Sequence, residues 1–194
     1  DAHDVYGNQV EKIFVADGDA LVLEMPLWKQ ILSLASKLFP KLKQVSCYAT
    51  AINLLQKTEE ELASLRKDGL NLLYIGPESG DDVTLKKLVK GANHEEHILA
   101  AQKAKRSNIK VSAIFLLGAG GTERSEVHAR QSAKLITGMD PDYLSALTLT
   151  VLPNTPLFKA QTKGKFTLPE KQELLKELQT MIRESSPTRA LFRT

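Results

Sequence analysis

Apolar runs that read as β-strands return along this chain about every 30 residues, the length that one strand and its return helix occupy. They are Lys12–Ala16, Lys43–Ala49, Leu72–Ile75, Ile109–Leu117 and Tyr143–Leu152. This spacing constrains the fold more than any single motif. Strands separated by a helix-length segment lie parallel, whereas antiparallel neighbours are joined by short turns. In a parallel sheet the loops after the strands share one rim, and chemistry resides there.

The segments between the strands carry helix signals. Leu27–Leu38 is apolar at 27, 28, 31, 32, 34, 35 and 38 and stops before Pro40. Thr58-Glu59-Glu60-Glu61 has the capping-box pattern, which predicts a helix over Glu59–Lys67 ending at Asp68-Gly69. Further helices are predicted from Asp81 or Asp82 to Val89, from Asn93 to Asn108, over Glu123–Thr137 and over Pro169–Glu184. Right-handed crossovers place such helices on one side of a sheet that curls into a barrel, or on both sides of one whose strand order reverses. The sequence pattern is common to both. With no long linker, the chain reads as one domain, residues 1–160 forming the core and 161–194 a C-terminal helix and tail.

Composition narrows the function classes. Among 194 residues, 42% are hydrophobic and 25% charged, and no apolar run approaches the roughly 18 residues of a membrane span. The start, Asp1 to Tyr6, lacks a signal-peptide pattern, and one cysteine makes no internal disulfide, so a cytoplasmic protein is expected. The balance of 26 basic against 23 acidic residues is too even for a nucleic-acid footprint. Neither membrane nor nucleic acid is expected as a partner.

Asp17, Asp19, Glu78, Asp81 and Asp82 fall just beyond strand ends, where carboxylates can receive ammonium or hydroxyl groups. Helix capping is the simpler role for Asp81 and Asp82, whereas a glutamate in Gly76-Pro77-Glu78-Ser79-Gly80 is an unusual way to turn. Gly118-Ala119-Gly120-Gly121 lacks the spacing of a dinucleotide fingerprint and reads as a flexible turn. His94 and His97, three apart, have no third ligand nearby and read as a solvated helix face, while Cys47 reads as a small buried hydrophobe with Tyr48 beside it nearing the rim.

Taken in order, Phe14-Val15-Ala16-Asp17-Gly18-Asp19-Ala20-Leu21, Leu73 through Asp82, Lys90-Gly91, Leu147-Thr148-Leu149 and Pro153-Asn154-Thr155-Pro156-Leu157 resemble the radical S-adenosylmethionine (SAM) enzymes. The resemblance is greatest to the branch similar to oxygen-independent coproporphyrinogen III oxidase. It implies an α/β fold, a partial, open TIM-type (β/α)6 barrel, with the visible strands as its second through sixth. It also implies an oxidoreductase-like enzyme that binds SAM and a [4Fe-4S] cluster and generates a 5′-deoxyadenosyl radical to abstract hydrogen from an unknown substrate. An electron donor protein would be its partner.

By the same resemblance, Asp17, Gly18 and Asp19 match the turn that binds the methionine amine, and Glu78 and Ser79 the contact to the ribose or methionine end. Ile114 matches a residue packing on adenine, and Leu152 and Pro153 the backbone that meets the adenine edge. The family's C-x3-C-x2-C cluster loop is absent, Cys47 being the only cysteine. We therefore expect a piece of a longer protein, inactive alone, with no metal ligand of its own. The alternative is a non-catalytic nucleotide-binding or interaction α/β domain.

Overall fold

A computed structural model of the chain describes residues 2–16 and 18–193. The elements are α1 (Ala2–Tyr6), β1 (Lys12–Val15), α2 (Met25–Leu38), β2 (Gln44–Tyr48), α3 (Ala51–Gln56), α4 (Glu59–Asp68), β3 (Leu70–Glu78), α5 (Asp82–Lys87), α6 (His94–Arg106), β4 (Lys110–Leu117), α7 (Gly121–Met139), β5 (Tyr143–Thr148), α8 (Pro156–Thr162), α9 (Lys171–Glu184) and β6 (Leu191–Arg193). The strands form one sheet in the order β1-β2-β3-β4-β5-β6. An unreversed order is that of a barrel wall and excludes the doubly wound alternative. The fold is an open, partial α/β barrel of parallel strands.

The chain divides into two compact units, Asp1–Ile75 with Leu99–Ser112, and Gly76–Ile98 with Ala113–Thr194. In the first, β1 pairs with β2 from Lys12↔Gln44 to Val15↔Cys47, and β2 with β3 through a register shift between Val45 and Ser46. Its core holds Leu21, Trp28, Leu32, Leu54, Leu62, Leu65 and Leu73, all essentially without solvent exposure. Trp28 and Leu32 are one helical turn apart on the inner face of α2, and the indole Nε1 donates to the Ala20 carbonyl at 3.1 Å, tying α2 to the loop after β1. Trp28→Phe keeps most of the ring and removes that bond, leaving the carbonyl with the Leu23 N–H alone. It should lower stability by about 2 kcal/mol in urea denaturation, with the slope unchanged. The capping box of α4 is present as read, with Glu61 N donating to Thr58 Oγ1 at 3.1 Å and Thr58 N to the Glu61 carboxylate at 2.8 Å.

The second unit contains the ends of β3 and β4, then β5 and β6. β6, in a tail too short to show a strand pattern, pairs in parallel with β5 from Tyr143↔Leu191 to Ser145↔Arg193, and the Arg193 guanidinium lies 3.9 Å over the Tyr143 ring. α9 packs along α7, whose inner face holds His128, Ala129, Ser132, Ala133, Leu135 and Ile136. The glycine loop after β4 departs from its reading as a flexible turn. Gly118 to Gly121 are buried, and Gly118 (φ 85) and Gly121 (φ 64) adopt left-handed backbone. A Cβ at Gly118 would stand 3.0 Å from Leu168 and Leu174, and one at Gly121 3.0 Å from Phe166. Thr122 N donates to the Thr167 carbonyl at 2.9 Å. The segment leading into α9 fills the space where an anion would have approached.

Alternation along the strands separates two faces. Val45 and Cys47 in β2, Leu73 and Ile75 in β3, and Val111, Ala113 and Phe115 in β4 are buried. At alternate positions in the first unit Phe14 and Tyr48 are exposed and Tyr74 half-buried, and in the second unit Gly76, Glu78, Ile114 and Leu116 are half-buried. Both faces of a parallel sheet are normally covered, so each of these sets has surface to offer a ligand.

Candidate functional site

In the first unit the acidic turn after β1 is built around Asp19, and Asp17 lies outside the described residues. Gly18 is exposed, and the space where its Cβ would stand is open. Asp19 Oδ2 accepts from Thr50 Oγ1 at 2.7 Å and from the Asn53 side-chain amide. Thr50 also caps α3 by accepting from Asn53 N at 3.2 Å. One carboxylate oxygen thus fastens the turn after β1 to the turn after β2. The other, Oδ1, is buried and has no hydrogen-bond partner among the described residues. Buried polar oxygens without partners are rare and costly, which marks this atom as one that awaits a donor.

The rings of Phe14, Tyr48 and Tyr74, from β1, β2 and β3, meet edge to face with centroids 4.9, 5.5 and 6.1 Å apart. Phe14 is 39% and Tyr48 44% exposed, large values for aromatic residues inside a parallel sheet. Cys47 points the other way and is sealed, and burial together with the nearby Asp19 charge pushes its thiol up to about 12.

In the second unit the turn after β3 is an interlocked polar structure. Glu78 has φ 67, a left-handed conformation uncommon outside glycine. Its carboxylate folds back over Gly76, in the space a Cβ there would occupy, and Oε1 lies 3.4 Å from Lys90 Nζ. Ser79 is fully buried; its Oγ is 2.8 Å from His128 Nδ1 and accepts the Asp81 N–H at 3.0 Å. Gly80 N donates to Ser132 Oγ at 2.9 Å, and the Gly80 carbonyl lies 2.7 Å from His94 Nδ1. Asp81 caps α5 through Thr84 N at 3.1 Å and takes both arms of the Arg124 guanidinium at 2.8 Å. Burial works against the Asp81 carboxylate, but the Arg124 and Thr84 hydrogen bonds hold it down to about 2. Asp82 accepts the His94 N–H at 2.7 Å. Both aspartates therefore serve the local turn.

The remaining candidates fall at separate points of this unit. Ile114 is half-buried on the less covered face of β4, and Leu152 and Pro153 are exposed beyond β5. His97, read as solvated, is 3% exposed, and burial pushes its imidazole below the ordinary value. No group of three metal-binding side chains occurs among the described residues, and no described helix is long and apolar enough to cross a membrane.

Sequence reasoning missed Thr50, Asn53, His128 and Glu177. Thr50 and Asn53 had a signal, a capping threonine three residues before asparagine just past a strand. His128 and Glu177 had none, since each stands among charged residues of a helix.

The sequence profile of the Radical SAM superfamily matches residues 2–131. The heme chaperone HemW of Bacillus subtilis (strain 168) is 21% identical over 165 residues, covering 84% of this chain and 43% of that protein. Two solved structures share the fold. The archaeal Methanocaldococcus infernus Elp3 superposes with a TM-score of 0.73 at 18% identity, over 94% of this chain and 46% of that one. Coproporphyrinogen III oxidase (HemN) from Escherichia coli gives 0.67 at 20% identity, over 90% and 39%. The chain thus spans less than half the length of each of these three. With a profile covering residues 2–131 and a sheet ordered like a barrel wall, the chain belongs to the radical SAM superfamily.

Proposed function

We propose that this chain is the SAM-binding portion of a radical SAM enzyme barrel, with Asp19 receiving the ammonium group of the cofactor. The observation that carries this reading is the Asp19 carboxylate itself, with Oδ2 held by Thr50 and Asn53 and Oδ1 buried without a partner. A carboxylate immobilised through one oxygen loses little further entropy on accepting a charge-assisted hydrogen bond through the other. The exposed Gly18 leaves room for the ligand to approach the backbone. Glu78, oriented by Lys90, is proposed for the hydroxyls or amine of the cofactor, and Ser79 supports its turn from inside. Ile114, Leu152 and Pro153 are proposed for the adenine.

In this superfamily SAM supplies hydrogen abstraction when reduced by a [4Fe-4S] cluster. The residues of this chain do not fit that cluster, because its one cysteine is buried with its thiol pushed up to about 12. For this chain the proposed role is therefore to bind and orient the cofactor. Oxidoreductase chemistry, an electron donor partner and a cytoplasmic location are proposals for the whole protein.

Calorimetric titration of the chain with SAM tests the reading. Asp19→Asn keeps the shape of the side chain and removes the charge, and it should weaken binding about tenfold, the effect of about 1.4 kcal/mol. Unchanged affinity in that variant, or no binding to the folded wild type, rejects the assignment. The half-exposed Phe14, Tyr48 and Tyr74 favour one second reading, a module that holds a planar ligand without transforming it. ATP or hemin binding tighter than SAM would support that reading instead.

A further inference from the structure

The second unit buries polar groups that the proposed cofactor contacts do not use. His128 and Ser132, one turn apart on the inner face of α7, grip consecutive residues of the turn after β3, His128 through Ser79 Oγ at 2.8 Å and Ser132 through Gly80 N at 2.9 Å. Ser79 Oγ accepts the Asp81 N–H at 3.0 Å and shares a second hydrogen bond with His128 Nδ1 at 2.8 Å. Nε2 completes no hydrogen bond of normal geometry among the described residues and lies 3.9 Å from Glu177 Oε2. Glu177 is committed elsewhere, accepting from Gly118 N at 2.7 Å and Ser125 Oγ at 2.6 Å.

Glu78 stands immediately before this gripped segment in its left-handed conformation at φ 67. A non-glycine residue does not hold that conformation unless its surroundings impose it. We infer that His128 is a positioning residue for Glu78: through the Ser79 hydroxyl it pins the segment Ser79–Asp81 to α7 and so imposes the backbone that lays the Glu78 carboxylate along Gly76. The consequence for a ligand rests on the proposed role of Glu78, while the pinning itself rests on geometry. The groups facing the imidazole are Ser79 and Asp81 from the turn, the Leu116 carbonyl from β4 and Glu177 from α9, with Arg124 of α7 neutralising Asp81.

Amide hydrogen exchange on the whole chain tests this in wild type, Ser79→Ala, His128→Leu and His128→Asn. The asparagine Oδ1 takes the place of Nδ1 and can accept from Ser79. Exchange at Asp81 and Gly80 should quicken about tenfold or more in S79A and H128L while Val111 and Ala113 in β4 stay as in wild type, and H128N should return most of the protection. Unchanged exchange at Gly80 and Asp81 in H128L overturns the proposal, as does an equal rise at β4 in that variant, which would mark general loosening. SAM titration of the same proteins separates the two claims. A wild type that fails to bind SAM defeats the proposed function alone, and the exchange pattern decides the role of His128.

Discussion

Gly80→Ala should lower the melting temperature by about 10 °C, measured by circular dichroism, which follows from a cost of 3 kcal/mol or more at about 2–4 °C per kcal/mol for a chain of this size. A Cβ at Gly80 would fall well inside contact distance of the Gln131 carbonyl and stand 2.6 Å from Ser132 N. Those are backbone atoms in the middle of α7, which cannot yield without the helix moving as a body. Such a movement would break Gly80 N to Ser132 Oγ and strain the Ser79–His128 pair beside it. Gly18 provides the contrast, because its Cβ would meet open space and Gly18→Ala should stay within about 0.5 kcal/mol of wild type. If the two alanines behave alike, α7 is not held against the turn as the hydrogen bonds indicate.

That contrast shows what was legible in the sequence. Strand positions were readable because buried parallel strands are apolar runs, and their parallel arrangement followed from spacing. Local caps were readable too, since Thr58 with Glu61 and Asp81 with Thr84 act within four residues. Strand order was not, because it depends on how whole layers pack. Asp81 looked like a cap and is one, but its pairing with Arg124, 43 residues away, had no local signature. The two glycines around Glu78 looked alike in sequence. In the structure Gly76 makes room for a side chain and Gly80 for the backbone of a helix. Glu177 sits on a helix whose polar residues suggest solvent, yet it is 2% exposed because it stitches the loop after β4 to Ser125. Long-range polar pairs of this kind leave no periodicity behind, and the candidate site is made largely of them.

The second large effect should appear on acidification, with His128 alone removing about 3 kcal/mol of stability between pH 6.5 and pH 4. The imidazole is wholly buried and neutral, and burial pushes it down to about 4 from an ordinary 6.5, although the Asp81 charge and the Leu116 carbonyl pull the other way. The sign follows from which state takes the proton. Below pH 6.5 the unfolded chain binds a proton at residue 128 that the folded chain refuses, so stability is complete above that pH and falls until the folded imidazole titrates near 4. A gap of about 2.5 units at roughly 1.4 kcal/mol each gives the magnitude. Asp81 does not contribute in this window, since it is held down to about 2 and its loss comes below 3.8. Glu177 opposes the trend, because burial raises its carboxyl and the folded state gains as that group takes its proton. Urea unfolding of wild type and His128→Asn at several pH values from 7 to 4.5 isolates the effect, because Glu177 and the buried His97 are present in both. The wild type should lose at least 2 kcal/mol more than the variant over that range. A constant difference between the two would mean that the folded protein accepts the proton on His128 and draws Glu177 toward Nε2 from 3.9 Å into a closed ion pair, turning a neutral brace of the turn into a buried charge pair.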